Sequence, residues 1–347
     1  MGNGFGIGDP RDKRKQEMIR PITLVTAQFA DMPIADLAAK ASEWGYDGLE
    51  LACRNDHLDV ERAATDKSYA ESHLEMLAGY GLKVFAINNG LTGQLVCDPN
   101  TDARSDALVP KNCRGDADAK REWAVGGMVN SARAAANLGV KIVNGFTGSS
   151  IWHMIYGFPP VSEEMIADGF RYFAEMWNPI LDEFDRCGVR FGLEVHPTEI
   201  AFDIITARRA LESINHRDTF GFNFDPSHLH WQMISPTKFL KTFSDRIYHV
   251  HIKDAKLSLD GESSILSSHL NFGEPGRGWD FRTPGRGEID FEEIIRTLNA
   301  IGYNGPLSVE WEDAGLDREF GAAEGYEFVK ARQFAPSDRV FDEAFGD

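Results

Sequence analysis

The chain has 347 residues, 42% of them hydrophobic, with 54 acidic against 36 basic side chains and a formal net charge of -18. Length and apolar content suit one large α/β domain, about 250 residues plus insertions. A surface this acidic repels phosphate backbones and anionic lipids, so the expected partner is a small molecule, not a nucleic acid or a membrane. Cys53, Cys97, Cys113 and Cys187 form no CxxC pair. They read as reduced thiols of a cytoplasmic protein. The first 18 residues are Gly-rich and then charged, unlike an apolar secretory leader, and no apolar run is long enough to span a bilayer.

Residues 1–20 are expected to be a flexible tail and 21–335 one catalytic domain, followed by a tail at 336–347. Short β-rich runs then alternate with helical ones. ITLVTA (22–27) opens the series, and ADLAAKASEWG stops as a helix at Gly45. Strands follow at GLELA (48–52), LKVFAI (82–87), KIVNGF (141–146) and FGLEVH (191–196). FGFNFD (220–225), IYHVHI (247–252) and PLSVEW (306–311) complete the set. The clearest helices are 118–138, 164–187, 207–215, 235–243, 290–300 and 322–334. Alternating βα units imply a parallel sheet, and eight of them predict a closed (β/α)8 TIM barrel. An open dinucleotide-binding sheet should show GxGxxG after its first strand, and none follows ITLVTA. Two long βα insertions, 88–117 and 253–289, are expected over the C-terminal face, where this fold builds its sites.

Residues alternate across a strand. In FGFNFD the phenylalanines share one face, while Gly221, Asn223 and Asp225 share the other. In IYHVHIK, His249, His251 and Lys253 share one face. Glu194 and His196 share a face of the fifth strand, and Ser308, Glu310 and Glu312 share one of the eighth. The apolar faces suit packing on helices, so the polar ones point into the barrel. Unpaired buried charge costs several kcal/mol or more per group, and a cation relieves it. Glu194, Asp225, His251 and Glu310 are therefore expected to bind one divalent ion. Mn²⁺ is the first choice, with Mg²⁺, Co²⁺ or Zn²⁺ as alternatives. A metal-free salt-bridge network is the competing view. His228, three residues after Asp225, is expected to touch substrate, and His249, lower in its strand, to be a hydrogen-bonded barrel histidine.

LEVHP, FDPSH, HVHIKD and GPLSVEWED, one per strand, resemble the sugar phosphate isomerase/epimerase family of xylose isomerase-like barrels, relatives of endonuclease IV. The resemblance spans about residues 20–335. It implies that the four ligands are those named above, that Glu194 and Glu310 double as acid and base, and that His228 contacts substrate. The family's ketose epimerases carry an arginine shortly after the metal-binding histidine; here Lys253 and Asp254 follow. Arg277, Arg282 and Arg286 in the Gly-rich 253–289 loop are candidate substitutes. His196, Lys253 and His153, the last in GFTGSSIWH, complete the expected substrate contacts. The same segments are similar to barrels that cleave C-glycosides together with a small partner subunit.

The expected chemistry is proton abstraction next to a metal-polarised carbonyl, through an enediolate, on a sugar or keto-sugar. Returning the proton gives an isomerase or epimerase. Expelling a β-substituent gives a dehydratase or lyase on a keto-inositol or a 3-keto-glycoside. A nuclease of the endonuclease IV kind is a weaker reading, because the third strand runs into Asn88 and Asn89 without a histidine. A non-catalytic binding subunit is weaker too, because both glutamates are intact. A homo-oligomer, or a complex with a small subunit, completes the expectations.

Overall fold

The computed structural model describes residues 20–337. The tails expected at 1–20 and 336–347 lie, except for their innermost residues, outside the described part. Eight parallel strands close into a barrel: β1 (Ile22–Val25), β2 (Gly48–Ala52), β3 (Lys83–Asn88), β4 (Ile142–Gly145), β5 (Arg190–Glu194), β6 (Phe220–Phe224), β7 (Ile247–Ile252) and, after a hairpin, β10 (Leu307–Val309). β10 pairs with both β1 and β7, which closes the ring. Every strand read from the sequence is present, most ending a residue or more earlier than its apolar run.

The alternation sorts the two faces. Phe191, Phe220, Phe222 and Phe224 point outward and are fully buried. They pack on the long helix Glu163–Cys187 and on the helix Pro236–Thr242. Trp177 meets Phe191 at 4.6 Å between centroids, Phe173 meets Phe220 at 5.8 Å, and Phe239 meets Phe222 at 5.3 Å. Burying one such ring contributes about 1.5–3 kcal/mol. Ser162 caps the long helix through the Met165 N–H, and Gly188 ends it in the left-handed region at φ 63°. Inward, Glu50, Asn144, Asn223, His249, His251 and Ser308 are all fully buried. Gly192 is part of this interior: a Cβ there would lie 2.7 Å from Asn144 Oδ1.

Both long insertions are more ordered than plain loops. The first folds into helices Gly90–Cys97 and Ala103–Asp106. The second holds an antiparallel hairpin of β8 (Asp254–Leu257) and β9 (Trp279–Arg282). Trp279 stacks on Trp231 at 4.3 Å and 5°, which seats the hairpin on the helix Pro226–Trp231. Helices Val60–Thr65 and Lys67–Gly79 fill the gap between β2 and β3. Among the described residues no helix is long and apolar enough to cross a membrane.

Asp254, which the sequence presents as a departure at the site, is a clamp instead. Its carboxylate accepts the backbone N–H groups of Ala255, Gly285, Gly287 and Ile289 at 2.9–3.2 Å. It ties the start of β8 to the segment that leaves β9. Asp254→Ala is expected to lower stability by about 2–4 kcal/mol, from one or two donors left buried without a partner. Urea unfolding measures this. A loss below about 0.5 kcal/mol, the range of a neutral surface substitution, would show that the clamp is idle.

Candidate metal centre

The C-terminal ends of four strands bring their polar faces to one point. Glu194 ends β5, Asp225 follows β6, His251 lies in β7 and Glu310 follows β10. One ligand atom from each lies within 4.8 Å of all the others, and all four residues are buried. His251 Nδ1 is 3.0 Å from Glu310 Oε2 and 3.3 Å from Glu194 Oε2. Asp225 spends Oδ1 on capping the next helix, accepting the Ser227 N–H at 2.8 Å and its hydroxyl at 2.7 Å. Its other oxygen, Oδ2, is buried without a hydrogen-bond partner. An orphaned carboxylate oxygen beside two further carboxylates and an imidazole nitrogen fits a divalent cation, and three hard oxygens with one nitrogen suit Mn²⁺, Mg²⁺, Co²⁺ or Zn²⁺.

Behind His251 sits Glu50 of β2, fully buried, which the sequence reading passed over. Glu50 Oε2 is 3.0 Å from His251 Nε2. Asn88 and Asn144 donate to Glu50 Oε1 at 3.0 Å each, and Ser308 donates to Oε2 at 3.0 Å. His249 Nε2 lies 2.8 Å from the same Oε2, though neither ring nitrogen of His249 makes a well-directed hydrogen bond. With Nε2 against a carboxylate, His251 keeps a proton there, so that when Nδ1 gives up its own proton to an ion the lone pair points between Glu194 and Glu310. This is the outer-shell carboxylate that orients a ligating histidine.

The charges explain the protonation. Burial pushes Glu50 up, but His251 and His249 more than reverse it and hold it well below the usual carboxylate range. Burial opposes charge on His251, yet Glu50 and Glu310 raise it well above the usual imidazole value. Burial, reinforced by Glu194 and Glu310 and resisted by Lys253, pushes Asp225 up to about 7. Burial resists charge on Lys253, but Glu310, Glu312 and Asp225 keep it charged.

His228 Nε2 lies 3.1 Å from Glu194 Oε1. Burial first, and the Lys253 charge second, lower its pKa to about 3, so this is a neutral imidazole's hydrogen bond at pH 7. His196 stacks on His228 at 4.6 Å and packs on the edge of Phe146. Lys253 is buried, 2.7 Å from Glu312, 3.2 Å from Glu310 and 3.7 Å from Asp225. Gln28, after β1, donates to Glu310 Oε1 at 2.9 Å. A cavity of about 600 Å³ opens above, with Glu194, Glu310, Glu312, Gln28, Phe146 and Trp123 in its wall.

The loop arginines have other partners. Arg277 is buried between the rings of Phe272 and Trp279 and donates to the Trp279 and Leu270 carbonyls. Arg286 pairs with Glu324, and Arg282 lies 3.7 Å from Asp313. None of the three lines the cavity over the ligands, so the expectation that they face substrate there is corrected. The insertion reaches the centre through Phe281, whose ring edge meets His228 at 5.2 Å and lies 4.1 Å under the Lys253 ammonium. His153 lines a neighbouring cavity.

A family model for the xylose isomerase-like TIM barrel matches residues 38–332. The chain belongs to that family. Among curated relatives, the uncharacterized protein YfiH of Bacillus subtilis (strain 168) is 22% identical over 326 residues, covering 89% of this chain and 98% of that protein. An inosose dehydratase of Clostridium botulinum (strain Alaska E43 / Type E3) is 29% identical over 157 residues. That match covers 43% of this chain and 52% of the dehydratase, so the chain matches about half of that relative's length. Among solved structures, the 3-keto-D-glucoside 4-epimerase YcjR from E. coli superposes with a TM-score of 0.62 at 15% identity, over 90% of this chain and all of that one.

Two predictions follow from the charges. Because His251 is protonated and Asp225 half-protonated near pH 7 without an ion, Mn²⁺ uptake is expected to release about one to two protons per chain, and affinity should fall as pH falls. Calorimetry in buffers of different ionisation enthalpy counts them; zero protons would contradict the assigned charges. Glu50→Gln is expected to weaken Mn²⁺ binding by about 10–100-fold. Wild-type affinity in that variant would reduce Glu50 to a filler of the barrel interior.

Proposed function

We propose that this protein is a divalent-metal-dependent isomerase or epimerase that removes a proton next to the carbonyl of a sugar or keto-sugar. The observation that carries this is the paired arrangement of Glu194 and Glu310. Each turns Oε2 toward His251 Nδ1. Each has Oε1 on a separate neutral donor, His228 for Glu194 and Gln28 for Glu310. The two strands that carry them are separated by β6 and β7 around the ring, so a substrate seated between them presents one face to each carboxylate. A divalent ion on the four ligands, Mn²⁺ by first expectation, supplies Lewis acidity that stabilises charge on the carbonyl oxygen.

The chain's own groups do the rest. One glutamate takes the α-proton through its outer oxygen. Hydrogen bonds from His228 and Gln28 fix the direction of each outer oxygen. Phe146 and Trp123, in the cavity wall, restrict water around the reacting carbon. Return of the proton from the opposite face inverts the centre; return at the adjacent carbon isomerises it.

A second reading is β-elimination, as in a dehydratase or lyase acting on a keto-inositol or an oxidised glycoside. The unequal halves of the site favour it. A neutral imidazole attends Glu194, whereas the Lys253 ammonium lies beside Glu310 and Glu312. One side is thus equipped to accept a proton and the other to offset negative charge building on a departing hydroxyl. The inosose dehydratase relatives support the same outcome.

The test is solvent-deuterium exchange with Mn²⁺-loaded protein and a panel of ketohexoses, inososes and 3-keto-glucosides. Glu194→Gln and Glu310→Gln are each expected to lower turnover by at least about 10²-fold. A new diastereomer or ketose–aldose pair carrying one deuterium marks an epimerase or isomerase. A conjugated carbonyl absorbance marks elimination. If no panel member exchanges its α-proton, the proposal fails.

A further inference from the structure

We infer that a second sugar-binding subsite adjoins the metal cavity, so that the substrate carries two rings, a keto-sugar and a neutral sugar joined to it; this rests on the keto-sugar reading above. A second cavity of about 570 Å³ opens beside the one over the ligands. Leu108 lines both and stands between them. Both volumes lie in the roughly 300–1,000 Å³ range of small-molecule sites. The helix Gly90–Cys97 forms part of both walls, Gly90 and Thr92 on the metal side and Gln94 and Leu95 on the other. Thr198 borders the second cavity two residues beyond His196. Since His196 stacks on His228 and His228 meets Glu194, a line of side chains runs from the metal centre to within two residues of this wall.

The lining has the chemistry of a sugar site. Asp98 is held in place: Gln94 Nε2 donates to both its oxygens at 3.1 Å, and the Ser149 N–H donates to Oδ1 at 3.0 Å. A carboxylate fixed in this way keeps lone pairs to accept sugar hydroxyls without reorganising. Trp152, in a T-shaped contact with Phe202 at 5.4 Å, brings an indole to the lining, an apolar ring suited to the C–H face of a sugar. His153 supplies a further polar group at the rim. The charge pattern selects against an anion. Asp98 and Asp102 both line the cavity, and the one arginine there, Arg104, is already bidentate to Asp102. A phosphorylated ring would face two carboxylates with no free guanidinium, so the occupant is an uncharged polyhydroxylated ring.

The insertion 88–117 supplies most of this cavity, and the barrel does not need it to close. A monosaccharide fills the metal cavity alone. A glycoside places its keto ring over the ligands and passes its second ring over Leu108.

The test compares 3-keto-glucose with 3-keto-sucrose on the full-length, Mn²⁺-loaded protein. The disaccharide is expected to have the higher kcat/KM by about 10-fold, the upper range of one aromatic contact, with most of the difference in KM. Trp152→Ala, Asp98→Asn and Leu108→Trp, the last narrowing the passage, should each collapse the ratio of the two kcat/KM values toward one. A wild-type ratio near one, or a ratio that all three variants preserve, overturns the subsite while leaving the metal-centre chemistry standing. If neither compound turns over, the catalytic reading fails separately, and calorimetric affinities decide the subsite. Tighter binding of 3-keto-sucrose that Trp152→Ala abolishes supports it; equal affinities overturn it.

Discussion

Four carboxylates share one end of the barrel with two cationic side chains, and the rest of the structure answers to that imbalance. Glu50, Glu194, Asp225 and Glu310 are all under 10% exposed, as are His251 and Lys253. With every group charged, a surplus of two negative charges lies out of water. Unpaired charge in such a place costs several kcal/mol per group. The metal-free chain has one means of relief, the proton that Asp225 holds up to about 7. A dication is the other. The site is thus a poor contributor to stability and a good trap for a metal, and ion binding adds free energy to the folded state by mass action.

The barrel tolerates this because its outer layer is heavily apolar where its inner layer is charged. β5 and β6 carry Glu194 and Asp225 at their ends and place Phe191, Phe220, Phe222 and Phe224 on the opposite face. The same two-residue period thus produces both the strain and its offset. The inner amides complete the arrangement. Asn88, Asn144 and Asn223 direct N–H groups at Glu50 and Glu194, and Gln28 and Ser227 do the same for Glu310 and Asp225, so no carboxylate at the centre relies on charge pairing alone.

That period is why so much was legible. The eight strands, their inward phase and the four proposed ligands follow from alternation and from the order of the motifs. Glu50 was legible by the same rule and was overlooked. In GLELA it shares the inward phase with Gly48 and Ala52, but two small neighbours hid the polar face. Gln28 carried no such signal, because it lies past the end of β1, where spacing no longer fixes direction. The loop arginines show the limit of composition. Three arginines in a Gly-rich segment suggest an anion pocket, yet Arg277 is held by Phe272 and Trp279 from its own hairpin. Arg286 is held by Glu324, 38 residues away. Neither contact can be read from the spacing of the arginines. The helix Gly90–Cys97 was equally hidden, since Gly90, Thr92 and Gly93 are weak helix formers, and the side chain that takes the Gly90 N–H, Asn88, belongs to the end of β3.

The halves of the ring divide the labour, and Glu50 joins them. β5, β6, β7 and β10 supply every proposed ligand. β2, β3 and β4 supply none, but the insertion after β3 and the loop after β4 build the cavity walls. Substrate shape can therefore change through loops that never touch an ion, while the ligand half stays fixed. The two halves still cannot drift independently. Glu50 stands on the cavity-building side and receives hydrogen bonds from β3 and β4, yet it also orients His251 of β7 and accepts from Ser308 of β10. A shift of β2 would turn the imidazole and loosen the ligand set. The side chain without metal contact is thus the one through which the substrate half of the barrel acts on the metal half.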